Sequence, residues 1–149
     1  MSTYYCQGVF IPKHPEKYKG TQPIVYRSNP ERRLMIFADN SSRIAYWQSE
    51  SVPIPYIKPT DGKIHRYYID FTFYFQENDG KLSKYLIEYK PFNQTQLPVK
   101  TPRKRDRTFL MEQMNYAVNQ AKWKAAREFA QANGMKFLVI TEKELGQPL

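Results

Sequence analysis

Between Ile64 and Gln76 apolar and aromatic residues alternate with polar ones, the period of a half-buried strand, and a second such run ends in Leu86-Ile87-Glu88-Tyr89-Lys90. The segment between them, Glu77-Asn78-Asp79-Gly80, has hairpin-turn chemistry, so the two strands are expected to be antiparallel neighbours. In the first, Ile69, Phe71, Phe73 and Phe75 are expected to form one stripe, with Asp70 on the opposite side. In the second, Glu88 and Lys90 share a face while Ile87 and Tyr89 take the other. Downstream the period lengthens: Leu110, Met114, Ala117, Ala121, Ala125 and Phe129 recur at helical spacing, predicting a helix over 109–133 stopped by Gly134. Residues 136–141, around Phe137-Leu138-Val139-Ile140, then read as a buried strand. Upstream, Asn29 can cap a short helix with Pro30 at its first position; Leu34, Met35, Phe37 and Ala38 supply its apolar face, and it ends near Asn40. Residues 43–49 and 51–57 read as strand material broken around Pro53 and Pro55, and Thr60-Asp61-Gly62-Lys63 as a turn.

The order helix, three strands, helix, strand predicts an α/β domain, a mixed sheet flanked by helices. At 149 residues one domain is expected, with an irregular arm over 1–27 that carries short extended patches and no catalytic group. Residues 92–108 form a polar, basic loop stiffened by Pro98 and Pro102. No apolar run approaches the ~20 residues of a membrane span, and the N-terminus lacks the regions of a signal peptide, so a cytosolic protein without a membrane partner is expected. Cys6 is the only cysteine, which excludes an internal disulfide and reads as a small structural residue. With only His14 and His65 besides, neither a Cys/His zinc site nor an HNH-type centre can be assembled. No G-x-S-x-G elbow and no phosphate-binding glycine loop occurs.

Charge narrows the partner. Lys and Arg number 23 against 14 Asp and Glu, a net charge of +9, which favours a polyanion, although an anionic membrane surface would attract the chain too. Lys100, Arg103, Lys104, Arg105 and Arg107 make the 92–108 loop a candidate DNA contact through the backbone, with low sequence specificity; the alternative is a solvated connector. Lys122, Lys124 and Arg127 are placed on the solvent face of the long helix, where they could extend the DNA footprint, and Tyr67, Tyr68, Tyr89 and Phe92 in packing roles.

The hairpin brings Asp70, Glu88 and Lys90 together. Two carboxylates can hold Mg²⁺ through hard oxygen ligands, with the Tyr89 carbonyl as a third, and Lys90 can orient or deprotonate a water or neutralise charge on a phosphate in transit. Plainer readings stand beside this one. Glu88 and Lys90 could be a same-face strand ion pair, whereas an acid between Ile69 and Phe71 is costly unless ion-bound, hydrogen-bonded or wet. Glu31 closes a Ser28-x-x-Glu31 capping box, and Glu50 is either a group beside the metal or a solvent-facing acid at a strand end.

In order and wording, Glu31, Asp70 and Glu88-Tyr89-Lys90 resemble the PD-(D/E)xK nuclease superfamily, whose fold is restriction-endonuclease-like, over most of residues 24–141. Within it, Ser28-Asn29-Pro30-Glu31, Gln48-Ser49-Glu50-Ser51-Val52-Pro53-Ile54, Arg66-Tyr67-Tyr68-Ile69-Asp70-Phe71 and Leu86-Ile87-Glu88-Tyr89-Lys90 resemble the TnsA-like transposon-end endonucleases. In a small basic chain, this wording is similar to that of the head completion nucleases of large tailed phages. The resemblance implies a DNA endonuclease using one or two Mg²⁺ ions, or Mn²⁺, that trims or cuts packaged DNA before the neck and tail attach. By position, Asp70 and Glu88 are then the metal carboxylates, Lys90 the catalytic lysine, and Glu31 the helix glutamate that helps hold the metal or its water. The implied partners are DNA and the portal, head or neck proteins; the implied place is the cytoplasm of the infected bacterial host, or the virion. Ile69-Asp70 stands where Pro-Asp is common, and Glu88 where TnsA-like members can carry Gln; neither change removes a ligand. Two rival readings are a structural head or neck protein that binds DNA on a vestigial nuclease fold, and a transposase-type subunit that cuts only inside a partner complex.

Overall fold

A computed structural model describes residues 7–50 and 52–146, so Cys6 and the first residue of the expected 51–57 strand lie outside the described residues. The central sheet has four strands in the order β3 (Ile44–Ser49), β6 (Phe71–Gln76), β7 (Leu82–Tyr89), β8 (Lys136–Ile140). The first three pair antiparallel and β8 runs parallel to β7, so the chain needs a crossover between them, which the long helix α2 (Asp106–Ala132) supplies. Helix α1 (Asn29–Asn40) covers one face of the sheet, with Leu34, Met35 and Ala38 packed among Trp47, Phe71, Phe73 and Ile87. On the other face Trp123, Ala126 and Ala130 of α2 pack on Leu86 and on Ile54, Tyr56, Tyr67 and Ile69. A short helix, α3 (Glu142–Leu145), follows β8. The result is the mixed α/β architecture expected of a restriction-endonuclease-like domain. No helix among the described residues is long and apolar enough to cross a membrane.

The arm is more ordered than an irregular lead. β1 (Gly8–Val9) pairs antiparallel with β2 (Val25–Tyr26), and Phe10, Tyr18 and Ile24 enter the core. The buried Asp39 carboxylate accepts the Lys13 and His14 N–H groups at 2.7 and 2.9 Å. Lys17 Nζ donates to the carbonyls of Ala38, Asp39 and Ser41, which the end of α1 leaves unpaired.

Five local expectations are corrected. Ser28, not Asn29, caps α1: its backbone is extended and its Oγ accepts the Glu31 N–H at 3.3 Å. Pro53 and Pro55 do not break β4 (Pro53–Ile57), which pairs with β5 (Ile64–Tyr68) in a separate two-stranded sheet; both prolines are exposed, as a strand with only one partner permits. Helix α2 begins at Asp106, so Arg107 lies in its first turn, and a 3₁₀ turn occupies Phe92–Thr95; the irregular basic segment is shorter than 92–108. Leu110 and Met114 are exposed, because the buried stripe of α2 runs through Asn119, Trp123, Ala126 and Ala130.

The fifth correction shapes the site. The expected strand over 64–76 is divided into β5 and β6. Ser49 pairs with Phe71 and Pro53 with Tyr68, so the two pairings are four positions apart along one strand and three along the other, and one side of the ladder holds an extra residue. This is the count of a β-bulge, and Glu50, with φ of +49°, takes the left-handed conformation such a bulge uses. The alternation of faces is reset there: Ile69 packs on the α2 side while Phe71 and Phe73 pack on the α1 side, so the four residues do not form one stripe.

Candidate active site

Asp70 sits in this interruption. The Glu50 N–H donates to its carbonyl at 3.0 Å and its Oδ2 accepts the Tyr89 N–H at 2.9 Å, which fixes its backbone against the end of β3 and its carboxyl group against β7. Glu88 pairs with Val139 of β8 on a central strand and shares the α2 face with Leu86. It is 4 % exposed. Lys90 follows the end of β7, held by its N–H to the Ile140 carbonyl at 2.9 Å, and its Nζ stands 3.9 Å from Glu88 Oε2.

Burial pushes the Asp70 carboxyl well above the usual carboxylate range and the negative charge of Glu88 adds to it, against the Tyr89 N–H and Lys90. Burial also raises Glu88, with Lys90 the chief opposing influence. Two acids placed this way in a desolvated pocket resist joint ionisation, the condition a divalent cation relieves. Glu88 Oε1, Tyr67 Oη and Trp123 Nε1 are buried without a hydrogen-bond partner. Tyr67 Oη stands near Glu88, whose charge joins burial in pushing the phenol up, yet it does not reach hydrogen-bond geometry.

Glu31 is tied to the start of α1 by Ser28, whose Oγ donates to its Oε2 at 3.0 Å and accepts its N–H at 3.3 Å. Burial raises its carboxyl, and its negative charge adds to the upward push on Asp70. Among the described residues no three His, Cys, Asp or Glu side chains gather closely enough to form a cation site. The structure therefore brings Asp70, Glu88 and Lys90 together and leaves Glu31 within electrostatic reach but outside the group. Glu50 pairs with Arg27 and remains substantially exposed; its backbone, rather than its carboxylate, serves the site.

The structure adds Lys122, which the sequence assigns to a solvent face. It is half-buried, lies 5.8 and 5.5 Å from the ring centres of Tyr56 and Tyr67, and its pKa is lowered by burial first and by Lys90 second. The sequence hides Tyr67 and Trp123 equally well. The one signal in it is the stripe Asn119-Trp123-Ala126-Ala130, which puts Lys122 beside the sheet. Lys124 and Arg127 are exposed as expected.

The five basic residues divide. Lys104 Nζ is committed to Glu112 and the Val99 carbonyl, both at 2.7 Å, and Lys100 Nζ to the Lys104 carbonyl at 2.5 Å, with Asp106 at 3.5 Å. Arg103, Arg105 and Arg107 are exposed.

The donor set fits a hard dication. Asp70 and Glu88 offer carboxylate oxygens, one of them orphaned, and Mg²⁺ commonly takes one or two protein carboxylates and keeps several waters.

Comparison with known proteins agrees with the architecture. The family described as "TnsA-like endonuclease N terminal" matches residues 41–142. The chain is 36 % identical over 142 residues to the "Head completion nuclease" of Enterobacteria phage T4, covering 93 % of this chain and 92 % of that protein. No solved structure matches significantly. The matched span contains Glu50, Asp70, Glu88, Lys90 and Lys122, and on these grounds the chain belongs to the TnsA-like endonuclease family.

Proposed function

We propose that this chain is a Mg²⁺-dependent DNA endonuclease acting in phage head completion, where it trims or cuts packaged DNA before the neck and tail attach. The observation that carries the chemistry is the buried Asp70–Glu88 pair with its orphaned Glu88 oxygen beside Lys90. Family membership and the T4 relative support the nuclease class and the stage of assembly.

Asp70 and Glu88 would hold the ion, with Glu31 reaching it through water. Bound there, Mg²⁺ would supply Lewis acidity toward a phosphate oxygen and acidify water. Lys90 and Lys122 place two ammonium groups on the Glu88 side of the pocket, where charge grows on the phosphate oxygens as water attacks phosphorus and a P–O ester bond breaks. The Tyr89 N–H holds Asp70 in orientation, and Tyr67 and Trp123 exclude bulk water behind Glu88. Exposed Arg103, Arg105 and Arg107 meet the DNA backbone without reading bases. Portal or neck proteins are the partners that head completion calls for, in the cytoplasm of the infected host or in the virion.

The test is plasmid nicking by the purified chain in Mg²⁺ and in EDTA, with Asp70→Ala and Lys90→Ala. The reading expects nicking in Mg²⁺ alone and a loss of at least about a hundredfold in each variant, with folding retained. Undiminished Mg²⁺-dependent nicking in both variants would reject the site.

A further inference from the structure

A cleft of about 490 Å³ lies between the segment after Lys90 and the first half of α2. Five of the side chains that line it are carboxamides: Asn93, Gln94, Gln96, Asn115 and Asn119. Asn119 is only 9 % exposed, and its amide makes no hydrogen bond to any described residue. Its amide atoms are not sealed from solvent, so the group is left open to the cleft and available to whatever enters it. Tyr116 adds a half-buried aromatic ring to the wall.

The charges in the lining cancel. Lys104 and Glu112 both face the cleft and pair with each other at 2.7 Å, so a phosphate would meet a carboxylate along with the lysine. What suits such a lining is a flat, neutral ligand with both donors and acceptors on its edge. A nucleobase has those properties: carboxamides match its hydrogen-bonding edge and an aromatic ring its face. The volume lies within the range of small-ligand sites.

Two of the lining residues lie within one helical turn or a few positions of the catalytic groups along the chain. Asn93 follows Lys90 by three residues, and Asn119 precedes Lys122 and Trp123 by three and four positions, on the same side of α2. Arg103, exposed between the lining residues Thr101 and Lys104, stands ready for a phosphate outside it.

We infer that this cleft receives one unpaired base of the DNA substrate, so that the enzyme prefers DNA with a frayed, single-stranded or branched position next to the cut. The inference rests on the nuclease reading and specifies its substrate. A duplex holds its bases stacked and paired, and a base delivered to a side pocket must first leave that stack, at a cost that is least where it is already unpaired.

The test is binding of the full-length chain, in EDTA, to two fluorescent DNAs of equal length and charge, one a blunt duplex and one with a few unpaired nucleotides at one end. The expected result is about tenfold tighter binding of the DNA with unpaired nucleotides, from one stacked and hydrogen-bonded base. Asn119→Leu should bring the ratio of the two affinities close to one. Because a buried substitution can disturb folding, Gln94→Leu at an exposed position serves as the second variant and should lower the same ratio. Equal affinity for the two DNAs, or a preference unchanged in both variants, overturns the inference. If that happens while Asp70-dependent nicking persists, only the base pocket falls; if the preference stands and nicking is absent, the pocket survives and the nuclease reading falls.

Discussion

Asp70 and Glu88 give the site a pH signature separate from catalysis. A carboxyl whose pKa is raised by folding binds its proton more tightly in the folded state, so without metal its contribution favours folding at low pH. That advantage is lost as pH climbs from the ordinary carboxylate value near 4 through the raised folded value. Glu31 acts in the same direction, whereas Asp61 and Glu144, whose pKa values are lowered, act in the opposite one. The informative quantity is therefore a difference. In EDTA at neutral pH, Asp70→Asn should melt roughly 2–4 °C above the parent, and the gap should close below pH 4. The variant keeps an acceptor for the Tyr89 N–H, so its gain reports the removed charge. Superimposable melting profiles across that range would contradict the electrostatic description of the pair. Lys122 yields a kinetic prediction: Lys122→Met should slow nicking about tenfold or more while preserving stability, because methionine keeps the packing over Tyr56 and Tyr67. Lys124→Met, at an exposed position of the same helix, is the comparison, and equal rates for the two would remove Lys122 from the site.

At the scale of elements, α2 shows which part of the helix the core needs. Trp123→Ala deletes a ring that is 4 % exposed and should cost about 3–5 kcal/mol in urea unfolding. Leu110→Ala, at a position 56 % exposed, should change stability by less than about 0.5 kcal/mol. The reverse order would mean the helix is rotated from the phase described. That phase is only partly legible in the sequence. The helix itself is plain from its period and from Gly134, but Leu110 and Met114 extend an apolar series into a segment that meets no sheet, and following them turns Lys122 outward. The hairpin carrying Asp70 and Glu88 is legible because Glu77–Gly80 and the two alternating runs agree. Its bulge is not: Ile69 and Phe71 are both apolar, so the resetting of faces between them leaves no mark, and Glu50 in a left-handed conformation breaks the preference that favours glycine there. Glu88 and Lys90 can be placed from local alternation alone. Tyr67 and Trp123 are recognisable only once α2 is docked on β4 and β5.

For the whole molecule, the net charge of +9 predicts salt-sensitive DNA binding, and the structure says which charges can release counterions. Arg103, Arg105 and Arg107 are exposed, whereas Lys104 is spent on Glu112 and Lys100 on backbone carbonyls. Replacing the three arginines by Ala should flatten the slope of log affinity against log salt by about one unit for each phosphate no longer neutralised. Substituting Lys104 should instead loosen the loop and the cleft beneath it. In the proposed function these charges guide DNA to a pocket whose chemistry would depend on a cation shared by distant parts of the chain, and that sharing can be measured without cleavage. Calorimetric titration of the metal-free protein with Mn²⁺ is the most direct test. Asp70→Asn and Glu88→Gln should each abolish or severely weaken a site seen in the parent, and Glu31→Gln should weaken it less, since Glu31 stands outside the Asp70–Glu88 group. Parent-like Mn²⁺ binding in both the Asp70 and the Glu88 variants would contradict the assignment of this pocket as the metal centre.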